Sequence, residues 1–185
     1  SRYVTRSAQY LGAKDYEPVA HDFDIEIGYL YKSPAILSEP GQDKLHEMPH
    51  ESLGRPGSRA PHLWVERNGH RVSTQDLVGT NFTLLAAPDG GAWAEAAKKI
   101  GGVDALVFGR DVKDPERKFA EAYGLSSNGA SLVRPVGFIA WRSKGAADNP
   151  ETILSGTMKA LLKIGRASCR ASVSISVVAV SLKKK

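Results

Sequence analysis

Two short apolar runs, Asn81–Ala87 and Val103–Phe108, flank a stretch in which Trp93, Ala96, Ala97 and Ile100 recur at helical spacing. Runs of this length without alternation are typical of strands buried on both faces. A strand, a helix and a second strand place the strands parallel, and such a crossover is right-handed. The unit favours a sheet with helices on both faces.

The flanking segments extend that unit. Leu63–Glu66 and Arg71–Thr74 enclose Asn68-Gly69, a dipeptide that accepts the positive φ of a tight turn, and predict a β-hairpin. Pro88-Asp-Gly-Gly91 turns the chain into the helix over Ala92–Ile100, and Gly101-Gly102 ends it. Asp114-Pro115 supplies a cap and a first turn for a helix through Tyr123, closed by Gly124. Ala130–Val133 and Phe138–Trp141 pair as a hairpin around Arg134-Pro-Val-Gly137. Asn149-Pro150 starts a last helix with Ile153, Leu154, Met158, Leu161 and Leu162 on one face. The order, a hairpin and then β-α-β-α-β-β-α, predicts an α/β thioredoxin-like domain, a central mixed sheet with flanking helices, over residues 62–164.

Upstream, Phe23, Ile25 and Ile27 alternate with acids, which predicts a half-buried strand within 22–37 as part of a preceding domain, residues 1–37. Residues 38–61 hold four prolines and three glycines with little periodicity, and are expected to form a linker or a strap across a surface. Ser1 is not a start methionine, so further chain is expected before it. Lys163-Ile-Gly-Arg-Ala-Ser-Cys-Arg170 resembles translated cloning adapter, and residues 165–185 are expected to be a non-native tail.

Charge and cysteine content close off several function classes. The net charge is +5, but Arg166, Arg170, Lys183, Lys184 and Lys185 carry it, so residues 1–164 balance 20 basic against 20 acidic side chains. No basic stripe interleaves with aromatics, and no nucleic-acid partner is expected. No apolar run reaches the roughly 18 residues of a membrane span, and no signal-peptide order is present, so no membrane partner and a cytoplasmic location are expected. Cys169, the single cysteine, excludes an internal disulfide or a two-cysteine redox centre.

A thioredoxin-type enzyme holds its thiolate where the first strand enters its helix, because the helix N-terminus lowers the thiol pKa. Pro88-Asp89-Gly90-Gly91 occupies that place and has no sulfur, so disulfide exchange is not expected there. His46-Glu47-Met48-Pro49-His50 has the H-E-x-x-H spacing of zinc peptidases, but Pro49 opposes the helix that must bring the imidazoles together, and no metal site is expected. Asp111, Asp114 and Glu116 read as caps and solvated charges beside Arg110 and Lys113 rather than as a metal cluster. Arg134, Trp141 and Arg142 on the second hairpin read first as a protected sheet edge, and are also the preferred contact face for an anion or a partner. His21, His62 and His70 fit exposed or core-edge positions. No G-x-G-x-x-G behind a strand, P-loop or G-x-S-x-G elbow is present.

Arg55-Pro-Gly-Ser-Arg-Ala-Pro-His-Leu-Trp64, Val72-Ser-Thr-Gln-Asp-Leu77 and Phe82-Thr-Leu-Leu85 resemble the start of the C-terminal domain of FAD-dependent aromatic hydroxylases, of the phenol 2-monooxygenase or 2,4-dichlorophenol 6-monooxygenase type. Gly129–Arg142 and Glu26-Ile-Gly-Tyr-Leu-Tyr31 resemble further segments of that family in the same order. Val136 stands where the family usually has aspartate, which predicts a looser hairpin. The resemblance implies a parent monooxygenase that hydroxylates phenolic aromatics with FAD, NAD(P)H and O2, residues 1–37 being the end of its substrate and FAD domain. No catalytic, cofactor-binding or metal residue carries over, and no cofactor is expected for these residues alone. The implied role is an accessory one in folding and dimer contact, with the upstream FAD and substrate domains of the same polypeptide as partner and a homodimer as a further expectation. The alternative is a stand-alone, non-redox thioredoxin-like binding module.

Overall fold

The structure, a computed structural model, describes residues 26–40 and 44–168, with side chains through Leu162. Strands β1 (Trp64–Arg67) and β2 (His70–Ser73) form the first hairpin, and Asn68 and Gly69 take φ of 53° and 78° at its turn. A capping box on Ser73 and Asp76 then opens a 3-10 turn over Thr74–Leu77.

The strand-helix-strand unit follows as β3 (Phe82–Ala86), α1 (Gly91–Ile100) and β4 (Val103–Val107). β3 and β4 run parallel, with Phe82 opposite Val103 and Ala86 opposite Val107. After the short helix α2 (Phe119–Ala122), β5 (Ala130–Val133) pairs antiparallel with β3, and β6 (Ile139–Ser143) antiparallel with β5. The sheet order is β4-β3-β5-β6, and α3 (Pro150–Ser168) packs beside α1. This is the thioredoxin-like mixed α/β arrangement that the order of elements predicts.

Both faces of the sheet are buried, and the period of two assigns the residues. Leu84 and Ala86 of β3, Leu132 of β5 and Ala140 of β6 share one core with Trp93, Ala97, Leu154 and Met158 of α1 and α3. Leu85, Leu106, Val133 and Ile139 join a second core with Val65, Phe108, Phe119 and Tyr123. In that core Phe108 stacks on Phe119 with centroids 3.6 Å apart, and Phe119 lies 4.6 Å from Tyr123. Each such buried side chain contributes about 1.5–3 kcal/mol.

Four local expectations differ from what is found. The helix expected from Asp114 starts only at Phe119: Lys113 exchanges both backbone hydrogen bonds with Glu66, and Arg117 takes φ of 53°, so the intervening chain cannot be helical. Asp114 still caps, its carboxylate accepting the Phe119 N–H at 2.7 Å. On α3 the buried stripe is Leu154, Met158 and Leu161, while Ile153 and Leu162 are exposed. The turn with Val136 is not loose: Gly137 N donates to Arg134 O and Arg134 N to Phe138 O, both at 2.8 Å, with Val136 itself in solvent.

The fourth difference is upstream. Of the strand expected within 22–37, residues 22–25 lie outside the described residues, and 26–37 form turns with one isolated bridge, Tyr29 to His46. The alternation persists with the opposite sense, Gly28 and Leu30 turned inward, Ile27, Tyr29 and Tyr31 outward. Residues 37 and 57–60 run along β6, where Leu37 N donates to Ala140 O, Gly57 N to Ile139 O, Ile139 N to Ser58 O and Ala60 N to Gly137 O. This strap satisfies the outer edge of the sheet. Of the expected tail, 169–185 lie outside the described residues. Among the described residues no helix is long and apolar enough to cross a membrane.

Candidate functional site

The β3–α1 turn is where this fold concentrates chemistry, and here two of its backbone donors are spent internally. Asp89 N donates to Ser127 O at 2.7 Å and Gly90 N to Ala87 O at 2.8 Å, and no side chain caps the helix. A dinucleotide needs a glycine-rich turn with free N–H groups on its phosphates. This turn also carries the Asp89 carboxyl and is not such a cradle.

The other sequence candidates serve the fold. His46–His50 is not helical: His46 bridges to Tyr29, their rings 5.5 Å apart, and Glu47 is buried against Arg55 at 3.0 Å. The two imidazoles are therefore not held at one helix-turn spacing. Asp111 accepts the Val107 N–H at 2.9 Å and pairs with Arg110, and these two hydrogen bonds, the Arg110 one foremost, hold its carboxyl below the usual range. Glu116 pairs instead with Lys118, so the three acids part company. Among the described residues no group of three His, Cys, Asp or Glu is placed to hold a metal ion. His62 lies 2.7 Å from the Ser73 hydroxyl at a core edge, His70 is exposed, and His21 lies outside the described residues.

The arginine-tryptophan face of the second hairpin is also not an open site. Arg142 is buried, bonded to Glu39 and to the carbonyls of Leu53 and Tyr123, and Trp141 packs edge-on against Trp93 at 5.3 Å. Arg134, half-buried, lies above the Tyr31 ring at 5.8 Å. The edge is protected because the strap lies on it, which leaves Arg142 no freedom to receive an external anion.

What the sequence reading missed is a groove of about 550 Å³ between the strap, the 3-10 turn and α2, lined among others by Ile27, Tyr29, Leu53, His62, Gln75 and Glu121. Its walls come from five separate segments with no shared motif. Its lining includes the exposed apolar Ile27, Tyr29 and Leu53, and the hydroxyl beside His62, that of Ser73, also accepts the Gln75 N–H as a cap.

The described residues thus form a thioredoxin-like domain whose polar candidates take part in caps and ion pairs within the fold. Residues 53–163 match the family described as aromatic-ring hydroxylase, C-terminal, and the chain belongs to that family. It is 44% identical over 173 residues to 4-methyl-5-nitrocatechol 5-monooxygenase from Burkholderia sp, covering 88% of this chain and 32% of that protein. A 2,4-dichlorophenol 6-monooxygenase from Delftia acidovorans is 36% identical over 152 residues, covering 76% of this chain and 26% of that protein. Among solved structures, aklavinone-11 hydroxylase in a ternary complex with FAD and aklavinone superposes with a TM-score of 0.80 at 36% identity, over 87% of this chain and 31% of that one. The chain thus spans no more than 32% of the length of these relatives.

Proposed function

We propose that these residues are the C-terminal accessory domain of a flavin-dependent monooxygenase that hydroxylates phenolic aromatics with FAD, NAD(P)H and O2. The observation that carries the reading is the pairing of a C-terminal family match with coverage of only 32% of a nitrocatechol monooxygenase. The β3–α1 turn is in keeping with it, since it lacks a glycine-rich phosphate cradle and two of its N–H groups bond within the chain. The accessory role is to complete folding and to hold the flavin-bearing part, with dimer contact as a further task; these residues by themselves turn nothing over.

Extending the coding sequence upstream tests this. The expected result is a G-x-G-x-x-G after a strand, and NAD(P)H-dependent hydroxylation of a phenol by the longer protein. A start codon immediately before Ser1 contradicts it and favours the stand-alone binding module.

A further inference from the structure

We infer that the groove between the strap and α2 is the docking surface for the flavin- and substrate-binding part of the same polypeptide. This rests on the reading above and adds to it where the two parts meet.

The first argument is the reversed alternation. In sequence, Phe23, Ile25, Ile27, Tyr29 and Tyr31 fall on one side of a period of two. In the structure all of residues 27–30 line the groove, Gly28 and Leu30 buried and Ile27 and Tyr29 with 36% and 39% of their surface exposed. An apolar face turned away from its own core is built to meet another surface. The second argument is clustering. Leu53, 47% exposed, joins Ile27 and Tyr29 in the groove, and Lys118, just before α2, and Glu121 of α2 add charged groups to its lining. Exposed apolar side chains with charged ones beside them are the composition of an interface.

The third argument is tethering, which selects the occupant. Residues 27–30 form one wall, and they are the point at which chain preceding this domain arrives. In relatives the part outside this region makes up about two thirds of the length. A body carried on the same polypeptide sits at a high effective concentration beside the groove, so a modest interface suffices to keep it docked.

Thiol labelling tests the assignment. Leu53→Cys, Tyr29→Cys and, as a remote control on α3, Ile153→Cys are made in a Cys169→Ser background. Each is made both in the 185-residue chain and in the polypeptide extended upstream, and maleimide uptake at each site is followed by mass spectrometry. Thermal unfolding checks that each variant folds, and Tyr29→Cys serves if Leu53→Cys does not. The expected result is labelling at least tenfold slower at Leu53→Cys and Tyr29→Cys in the longer protein, with Ile153→Cys unchanged. Equal rates in a longer protein that carries flavin overturn the docking assignment and leave the proposed function standing. Slowing that grows with concentration of the 185-residue chain, with no further change on extension, also overturns it and gives the groove to a second copy. A longer protein without flavin overturns both.

Discussion

The Arg142 guanidinium forks onto the Glu39 carboxylate, Nε to Oε1 at 2.6 Å and Nη2 to Oε2 at 2.8 Å, while its Nη1 donates to the carbonyls of Leu53 and Tyr123. One side chain on β6 thereby ties two points of the strap to the end of α2. The fork is planar, and lysine cannot reproduce four bonds in fixed directions. Arg142→Lys is therefore expected to lower unfolding stability by about 2 kcal/mol, since it leaves two carbonyls and a partly buried carboxylate poorly met. Urea unfolding followed by circular dichroism measures this; a loss below about 0.5 kcal/mol, the range of an ordinary surface substitution, contradicts it.

The same pair sets an acid response. The hydrogen bond from Arg142 holds the Glu39 carboxyl below its ordinary value, against the opposing effect of burial. A depressed folded-state value gives stability that is present above the unfolded value, near 4.5, and is lost as pH falls through the lower folded one. The stability advantage over Glu39→Gln should shrink as pH drops below about 4.5, judged against that unfolded value. An advantage that grows on acidification contradicts the assignment.

Tyr123 gives the opposite edge. Its hydroxyl donates to Pro61 O at 3.0 Å in the second core, and burial pushes the phenol well up, only partly offset by the hydrogen bond with Thr74. A raised folded-state value gives stability that is complete below the unfolded value and is lost as pH rises toward the folded one. Tyr123→Phe should cost about 1 kcal/mol at neutral pH, and the gap between variant and parent should close as pH climbs above about 10. A gap constant through alkaline pH is the contrary result.

Leu154 and Ile153 adjoin on α3 but differ completely in burial, Leu154 at 0% and Ile153 at 41% exposed. Leu154→Ala opens a hole against Trp93 and Leu132 and should cost about 2–5 kcal/mol, whereas Ile153→Ala should cost less than about 1 kcal/mol. Equal losses in thermal unfolding would place both on the buried face, as the apolar spacing alone suggests.

That pair shows where the sequence is legible. The parallel unit and both hairpins follow from run lengths and turn residues, because the Asn68-Gly69 turn and the uniform apolar runs of β3 and β4 are decided locally. Which of Ile153 and Leu154 is inward depends on the angle at which α3 lies on α1, and a helix alone does not encode that. The reversed face at Ile27 and Tyr29, and Arg142's turn inward to Glu39, were hidden for the same reason. Both depend on where the strap lies, and its spacing carries no periodicity. The turn at Pro88–Gly91, without sulfur or a phosphate cradle, is plain in the sequence.

The central claim is that these residues hold a flavin-bearing part in place without binding flavin themselves. Its most direct measurement is the flavin absorption of the purified 185-residue chain after incubation with FAD, beside that of the polypeptide extended upstream. The account predicts a colourless short chain and a stoichiometric yellow flavin on the long one. Stoichiometric FAD retained by the short chain contradicts it.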